Sequence, residues 1–194
     1  SLAMTGGQDE KKILKQMAEI DKVQREWSSI KILKGAEVNI LKDGRLDIED
    51  KVLAKLDVVG AAVHSNFNLS EKEQTQRIIK AMENPNVDII AHPSARLINE
   101  RPAIEFDFDK ILEKAKETNT VLEIDSYSER LDLNDVMARA AIKHGIKLSI
   151  GTDAHNVERL SNFRLGVYVA RRAWAEKKDI INTYSLKDLK KLLK

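Results

Sequence analysis

The sequence predicts a single α/β domain built on a parallel sheet or (β/α) barrel, and two observations predict it. Short apolar runs of strand length alternate with stretches of helical spacing along nearly the whole chain. Acidic and histidine side chains fall where those runs give out, separated by about thirty residues or twice that, the length of one or two βαβ units.

Residues 9–27 read as an amphipathic helix, because Ile13, Leu14, Met17, Ile20 and Val23 recur at three- and four-residue steps. Apolar runs at 30–33, 56–63, 87–91, 120–124 and 146–150 are the predicted strands. Helical spacing fills 70–83, 107–118 and 134–144. Ser70 and Glu73 form a capping box at one helix start, and Gly145 after His144 is a helix stop. Asn119 and the loops around Pro93 and Pro102 are turns rather than linkers. Residues 162–194 are helical by periodicity and carry Trp174, Leu186, Leu189 and Leu193. The units share no sequence repeat, which argues against a solenoid.

A chain of 194 residues suits one well-packed domain, here residues 1–194. Its 33 basic and 31 acidic residues leave a formal charge of +2, so any contact with DNA is local rather than a basic stripe. No cysteine is present, which excludes disulfides and thiolate-bound zinc and fits a cytoplasmic protein. The longest apolar stretch, 58–63, is far too short to span a bilayer, and the N-terminus has no signal-peptide pattern.

The chemistry follows from where the polar residues fall. Glu37 follows the first run, His64 ends the second, His92 ends the third, and Asp153 and His155 follow the fifth. In a (β/α) barrel the C-terminal strand ends converge on one face, where such enzymes carry their sites. Imidazole with carboxylate is a ligand set for zinc, manganese or iron, and divalent ions activate phosphate esters toward hydrolysis. A lone histidine at a strand end is more often a hydrogen-bonded structural residue. Three of the four histidines and two acids at equivalent strand ends are hard to assign to chance. Asp153 and His155 also alternate, so they project to the same side. His144 stands apart, beside Gly145 at a helix end where a cation suits the dipole, and has no catalytic part.

Gly35-Ala36-Glu37-Val38, the segment from Leu56 to Phe67, Ala91-His92-Pro93-Ser94, Leu122-Glu123-Ile124-Asp125 and Gly151-Thr152-Asp153-Ala154-His155 resemble the PHP (polymerase and histidinol phosphatase) superfamily. Glu129-Arg130-Leu131-Asp132-Leu133, Gly166, the run from Ala170 to Trp174 and Ile181-Asn182-Thr183 resemble the C-terminal PHP domain of bacterial and archaeal family X DNA polymerases. The resemblance implies a distorted seven-stranded (β/α) barrel with up to three divalent ions (zinc, manganese or iron). It implies that Glu37 bridges two ions, His64 binds one of them, His92 and His155 share the third, and Asp153 belongs to the first. Glu37, His64 and Asp153 would then carry catalysis, with Arg96 and Arg130 as a fork for the phosphate. For both arginines an ordinary ion pair is an equal alternative. Asp125 is read as structural.

The family's site begins with a His-x-His pair and a further histidine, yet no histidine precedes Glu37. Residues 1–7 resemble the stretch after that further histidine, so they are expected to be native sequence. The barrel is therefore expected to lack its first two strands, as a fragment of a longer chain that includes a polymerase domain. Its first strand would expose an edge that pairing between chains can cover. The expected function is hydrolysis of DNA 3′ ends in repair, as a 3′-5′ exonuclease or 3′-phosphatase. A phosphomonoesterase on a small metabolite and a non-catalytic scaffold with partial metal binding are the alternatives, the missing histidines favouring the scaffold.

Overall fold

The computed structural model describes residues 7–193, so the expectation for the N-terminal stretch lies almost wholly outside the described residues. Among the described residues the order is α1 (Glu10–Glu26), β1 (Gly35–Asn39), α2 (Asp50–Leu53), β2 (Val58–Ala62), α3 (Glu71–Met82) and β3 (Ile89–Ile90). It continues α4 (Phe108–Thr118), β4 (Val121–Asp125), α5 (Asp135–Lys143), β5 (Leu148–Gly151), α6 (Phe163–Arg172) and α7 (Leu186–Leu192). The strands form one sheet in the order β1-β2-β3-β4-β5, every neighbouring pair parallel. Each crossover carries a helix, as parallel pairing requires. The sheet is not closed; it is compatible with part of a (β/α) barrel.

The helix starts are set by side-chain caps. Asp9, Ser70, Asp107, Asn134 and Ser185 each accept the backbone N–H three residues on, and Ser70 with Glu73 completes the capping box. Helix α5 stops at Gly145, whose φ of 81° is left-handed, with the Ile146 N–H returning to the Ala141 carbonyl.

Two expectations differ from the structure. The first strand is not 30–33 but Gly35–Asn39, so Glu37 sits within it. Residues 30–33 spend their backbone elsewhere: the Ile32 N–H donates to Gln24, and Ile30 is exposed with its carbonyl taken by the Gln24 amide. The C-terminal helix is also broken. Trp174 adopts a φ of 63°, the Ala175 N–H bonds the Ala170 carbonyl, and short 3₁₀ turns follow at Lys177–Asp179 and Ile181–Thr183. That is the same helix-stop geometry as at Gly145, made by a tryptophan whose indole is stacked under Arg139 at 4.0 Å.

The two faces of the sheet differ in chemistry. Val38, Val59, Ala61, Val63, Ile90, Leu122, Ile124 and Leu148 join the helix residues Ile78, Met82, Ile111, Leu112, Ala138 and Ala141 in one buried core. By strand alternation and the observed register, the opposite face carries Gly35, Glu37, Asn39, Gly60, Ala62, Glu123, Asp125, Ser149 and Gly151. Val58, Ile89 and Val121 also lie on it, but toward the C-terminal strand ends it is small and polar, and there it holds the site.

The outer strands end differently. Beyond β5, Ile180 bridges Leu148, and the Asn182 side chain both accepts from the Ile150 N–H and donates to the Ile150 carbonyl. Beyond β1 no strand pairs among the described residues. Helix α1 seats Ile13 in the core and packs Met17 against it, but Val23 and Trp27 are exposed. No described helix is long and apolar enough to cross a membrane.

Candidate metal centre

Glu37, His64 and His92 come from three neighbouring strands. His64 lies two residues beyond β2, where the alternation of Gly60 and Ala62 continues toward the polar face. Helix α3 holds the loop after it: Gln74 donates to the Asn66 and Phe67 carbonyls, and Arg77 to the Ser65 carbonyl. His92 lies two residues beyond β3, at a left-handed turn with φ of 29°. Glu37 Oε1 is 2.9 Å from His64 Nε2 and 3.3 Å from His92 Nε2. The two imidazoles meet edge to face at 5.1 Å between ring centres.

Burial pushes the Glu37 carboxyl up, but hydrogen bonds and charge from His64 and His92 outweigh it and hold the group well below the usual carboxylate range. Burial lowers the His92 imidazole, and Glu37 overcompensates to leave it raised. The anion thus depends on its two imidazole partners.

The unusual turn at His92 is fastened from behind. The His92 N–H donates to Glu123 Oε2 at 2.9 Å, and the Ser94 N–H donates to the buried Asp132 carboxyl at 3.0 Å. Glu123 reaches that position because residue 151 is glycine: a Cβ there would stand 1.9 Å from Glu123 Oε1. Burial pushes the Glu123 carboxyl up to about 8 and the Asp125 carboxyl up to about 6.

Asp153, His155 and Arg130 line the same cleft of about 380 Å³ as Glu37 and His64. Arg130 Nε is 3.3 Å from Asp125 Oδ2 and 3.8 Å from Asp153 Oδ2, and neither Nε nor Nη1 has a hydrogen-bond partner. His155 donates Nδ1–H to the Asp153 carbonyl and its side chain is 62% exposed. The structure therefore gathers Glu37, His64 and His92 into one cluster and leaves Asp153 and His155 along the cleft, outside it. Arg96 has a different occupation: its Nε donates to the Arg130 carbonyl and its Nη2 to the Leu131 carbonyl, clamping two loops together. His144 caps α5 and bonds the Ala140 carbonyl.

The donor set fits a divalent ion. The three candidate ligand atoms lie within 4.8 Å of one another, a spread that small side-chain shifts close around an ion about 2.1 Å from each. The Nδ1 of the buried His92 also has no partner. Two imidazoles and one carboxylate suit several metals and do not single one out.

Sequence reasoning missed Asn39, Asp47 and Glu123. Asn39 and Glu123 had a usable signal, each alternating with a named polar residue, Glu37 or Asp125, on the same strand face. Asp47 had none beyond the Asp43-Gly44 turn that returns the chain to β1.

No family model matches the chain. It is 43% identical over 193 residues to "DNA polymerase/3'-5' exonuclease PolX" of Bacillus subtilis (strain 168), covering 100% of this chain and 34% of that protein. It is 34% identical over 164 residues to a probable phosphatase of Thermoanaerobacter sp. (strain X514), covering 79% of this chain and 64% of that protein. A probable phosphatase of Clostridium novyi (strain NT) is 31% identical over 178 residues, covering 87% of this chain and 69% of that protein. The chain thus spans about a third of the first of these and under two thirds of the second.

Proposed function

The chain belongs to the PHP (polymerase and histidinol phosphatase) superfamily, and from that premise we propose that it is a metal-dependent phosphoesterase module that hydrolyses DNA 3′ ends, as a 3′-5′ exonuclease or 3′-phosphatase in DNA repair. The observation that carries the reading is the Glu37–His64–His92 cluster at adjacent parallel strands, opening into a cleft that an arginine also enters. Similarity over the whole chain to a protein named as a polymerase and 3'-5' exonuclease supports DNA ends as the substrate class.

In this reading Glu37 Oε1, His64 Nε2 and His92 Nε2 hold a divalent ion, zinc, manganese or iron. When bound, such an ion supplies Lewis acidity toward a phosphoryl oxygen and lowers the pKa of water. Arg130 lines the cleft, where its guanidinium charge can attract a phosphate, while Asp125 and Asp153 fix its position. Asp153 and His155 line the same cleft, where they can ligate further ions or face the ester. Residues 1–194 act as one phosphoesterase domain within a longer chain that holds a polymerase domain. A second copy pairing along the outer edge of β1 is the oligomeric arrangement this implies.

The test is a 5′-labelled single-stranded oligonucleotide, with and without a 3′-phosphate, incubated with the chain and manganese. Stepwise shortening from the 3′ end or loss of the 3′-phosphate, both abolished in Glu37→Gln, is the expected result. Hydrolysis confined to small phosphate esters would favour the second reading, a phosphomonoesterase, which the relatives named as probable phosphatases support. No hydrolysis of either substrate by a metal-loaded protein contradicts both.

A further inference from the structure

We propose that Asn39 and Asp47 are positioning residues that hold the His64 Nδ1 as a hydrogen-bond donor, so that Nε2 is the nitrogen the ring offers to the site. This rests on the metal-centre reading above and assigns its orienting partners. The polar contacts allow one arrangement. A carboxylate only accepts, so Asp47 Oδ2 must receive a proton from the Asn39 side-chain nitrogen. That turns Asn39 Oδ1 toward His64, where it lies 2.6 Å from Nδ1. An amide oxygen also only accepts, so Nδ1 carries a hydrogen and is spent on Asn39, leaving Nε2, 2.9 Å from Glu37 Oε1, as the nitrogen that faces the site.

The relay is held rigidly at its far end. Asp47 Oδ1 accepts the Asn39 backbone N–H at 2.9 Å, and the Asp47 N–H returns to the Asn39 carbonyl at 3.2 Å. The chain reaches this position through a tight turn in which the Gly44 N–H bonds the Leu41 carbonyl. Gly44 has φ of 81° and lies against α3, where a Cβ would stand 2.7 Å from the Lys80 Cβ. The amide face of Asn39 is therefore not free to invert.

The experiment uses the whole chain, metal-free and labelled with ¹⁵N-histidine, read by long-range ¹H–¹⁵N correlation of the ring nitrogens. The parent is expected to show His64 with a hydrogen on Nδ1. Asn39→Leu and Asp47→Ala should each shift it toward the other tautomer or a mixture. Zinc affinity, measured by competition with a chromophoric chelator, should fall on the order of 10- to 100-fold in both variants. If Asn39→Leu does not fold, Asp47→Ala gives the same reading with β1 intact. A His64 ring that keeps its Nδ1 proton in both variants overturns the proposal, as does zinc affinity unchanged in both. The ring spectra need no metal, so a parent that binds no zinc sinks the metal-centre reading alone.

Discussion

Glu123 shows how one buried side chain ties the site to the rest of the protein. Its carboxyl receives the His92 backbone N–H, fills the space left by Gly151, and is raised by burial to about 8. Because the folded value exceeds the ordinary one of 4.5, the folded state binds the extra proton. The stability this contributes is complete below about pH 4.5 and lost as pH rises toward about 8. Thermal melts of the metal-free protein should therefore show a shallower decline between pH 5 and 8 in Glu123→Gln than in the parent. An equal decline in both contradicts the assignment. The two arginines should separate as well. Arg96→Ala loses two hydrogen bonds to carbonyls and should lower stability in urea by about 1.5–3 kcal/mol. Arg130→Ala should weaken binding of inorganic phosphate to the metal-loaded protein several-fold. At this scale the sequence shows the candidate ligands, because histidines and acids at strand ends are scarce enough to notice. It only hints at Asn39 and Glu123, through their alternation with Glu37 and Asp125, because their importance lies in a partner that the fold supplies, Asp47 across a turn and His92 from another strand.

The elements repeat the lesson with a different cause. Helices α3, α4 and α5 are legible because their caps are local: Ser70, Asp107 and Asn134 each bond an N–H three residues away. Strand β1 is misplaced by apolar content alone, since Gly35–Asn39 must keep one face small and polar for the site and so does not look like a buried strand. The break after α6 was hidden too, because a tryptophan rarely takes the left-handed stop that glycine usually supplies. Asn182 illustrates an element finished by a side chain: it bonds both backbone groups of Ile150 where another strand would otherwise pair. Asn182→Ala leaves both groups without that partner and should cost about 1–3 kcal/mol, with hydrogen exchange at Ile150 accelerating markedly. Unchanged exchange at Ile150 would mean the edge is protected by something else.

Across the whole molecule, the parallel order of strands explains why residues far apart in the chain meet. Each crossover returns the chain to the same end of the sheet, so β1, β2 and β3 deliver Glu37, His64 and His92 side by side. The apolar face pays for folding through one continuous core, which leaves the polar face free to hold charged groups. Fold class was legible because alternation of runs is a chain-long signal. The openness of the sheet was expected only through the family resemblance. The relation of Asp153 and His155 to the cluster was not legible, because spacing fixes which end of the sheet a residue occupies but not its distance across a cleft. The central claim, that Glu37, His64 and His92 form a divalent metal centre, is tested most directly by equilibrium dialysis against zinc followed by elemental analysis. The parent should retain about one ion per chain or more, and Glu37→Ala, His64→Ala and His92→Ala, each shown folded by circular dichroism, should lose it. A parent that retains none, or folded variants that retain as much as the parent, would contradict it.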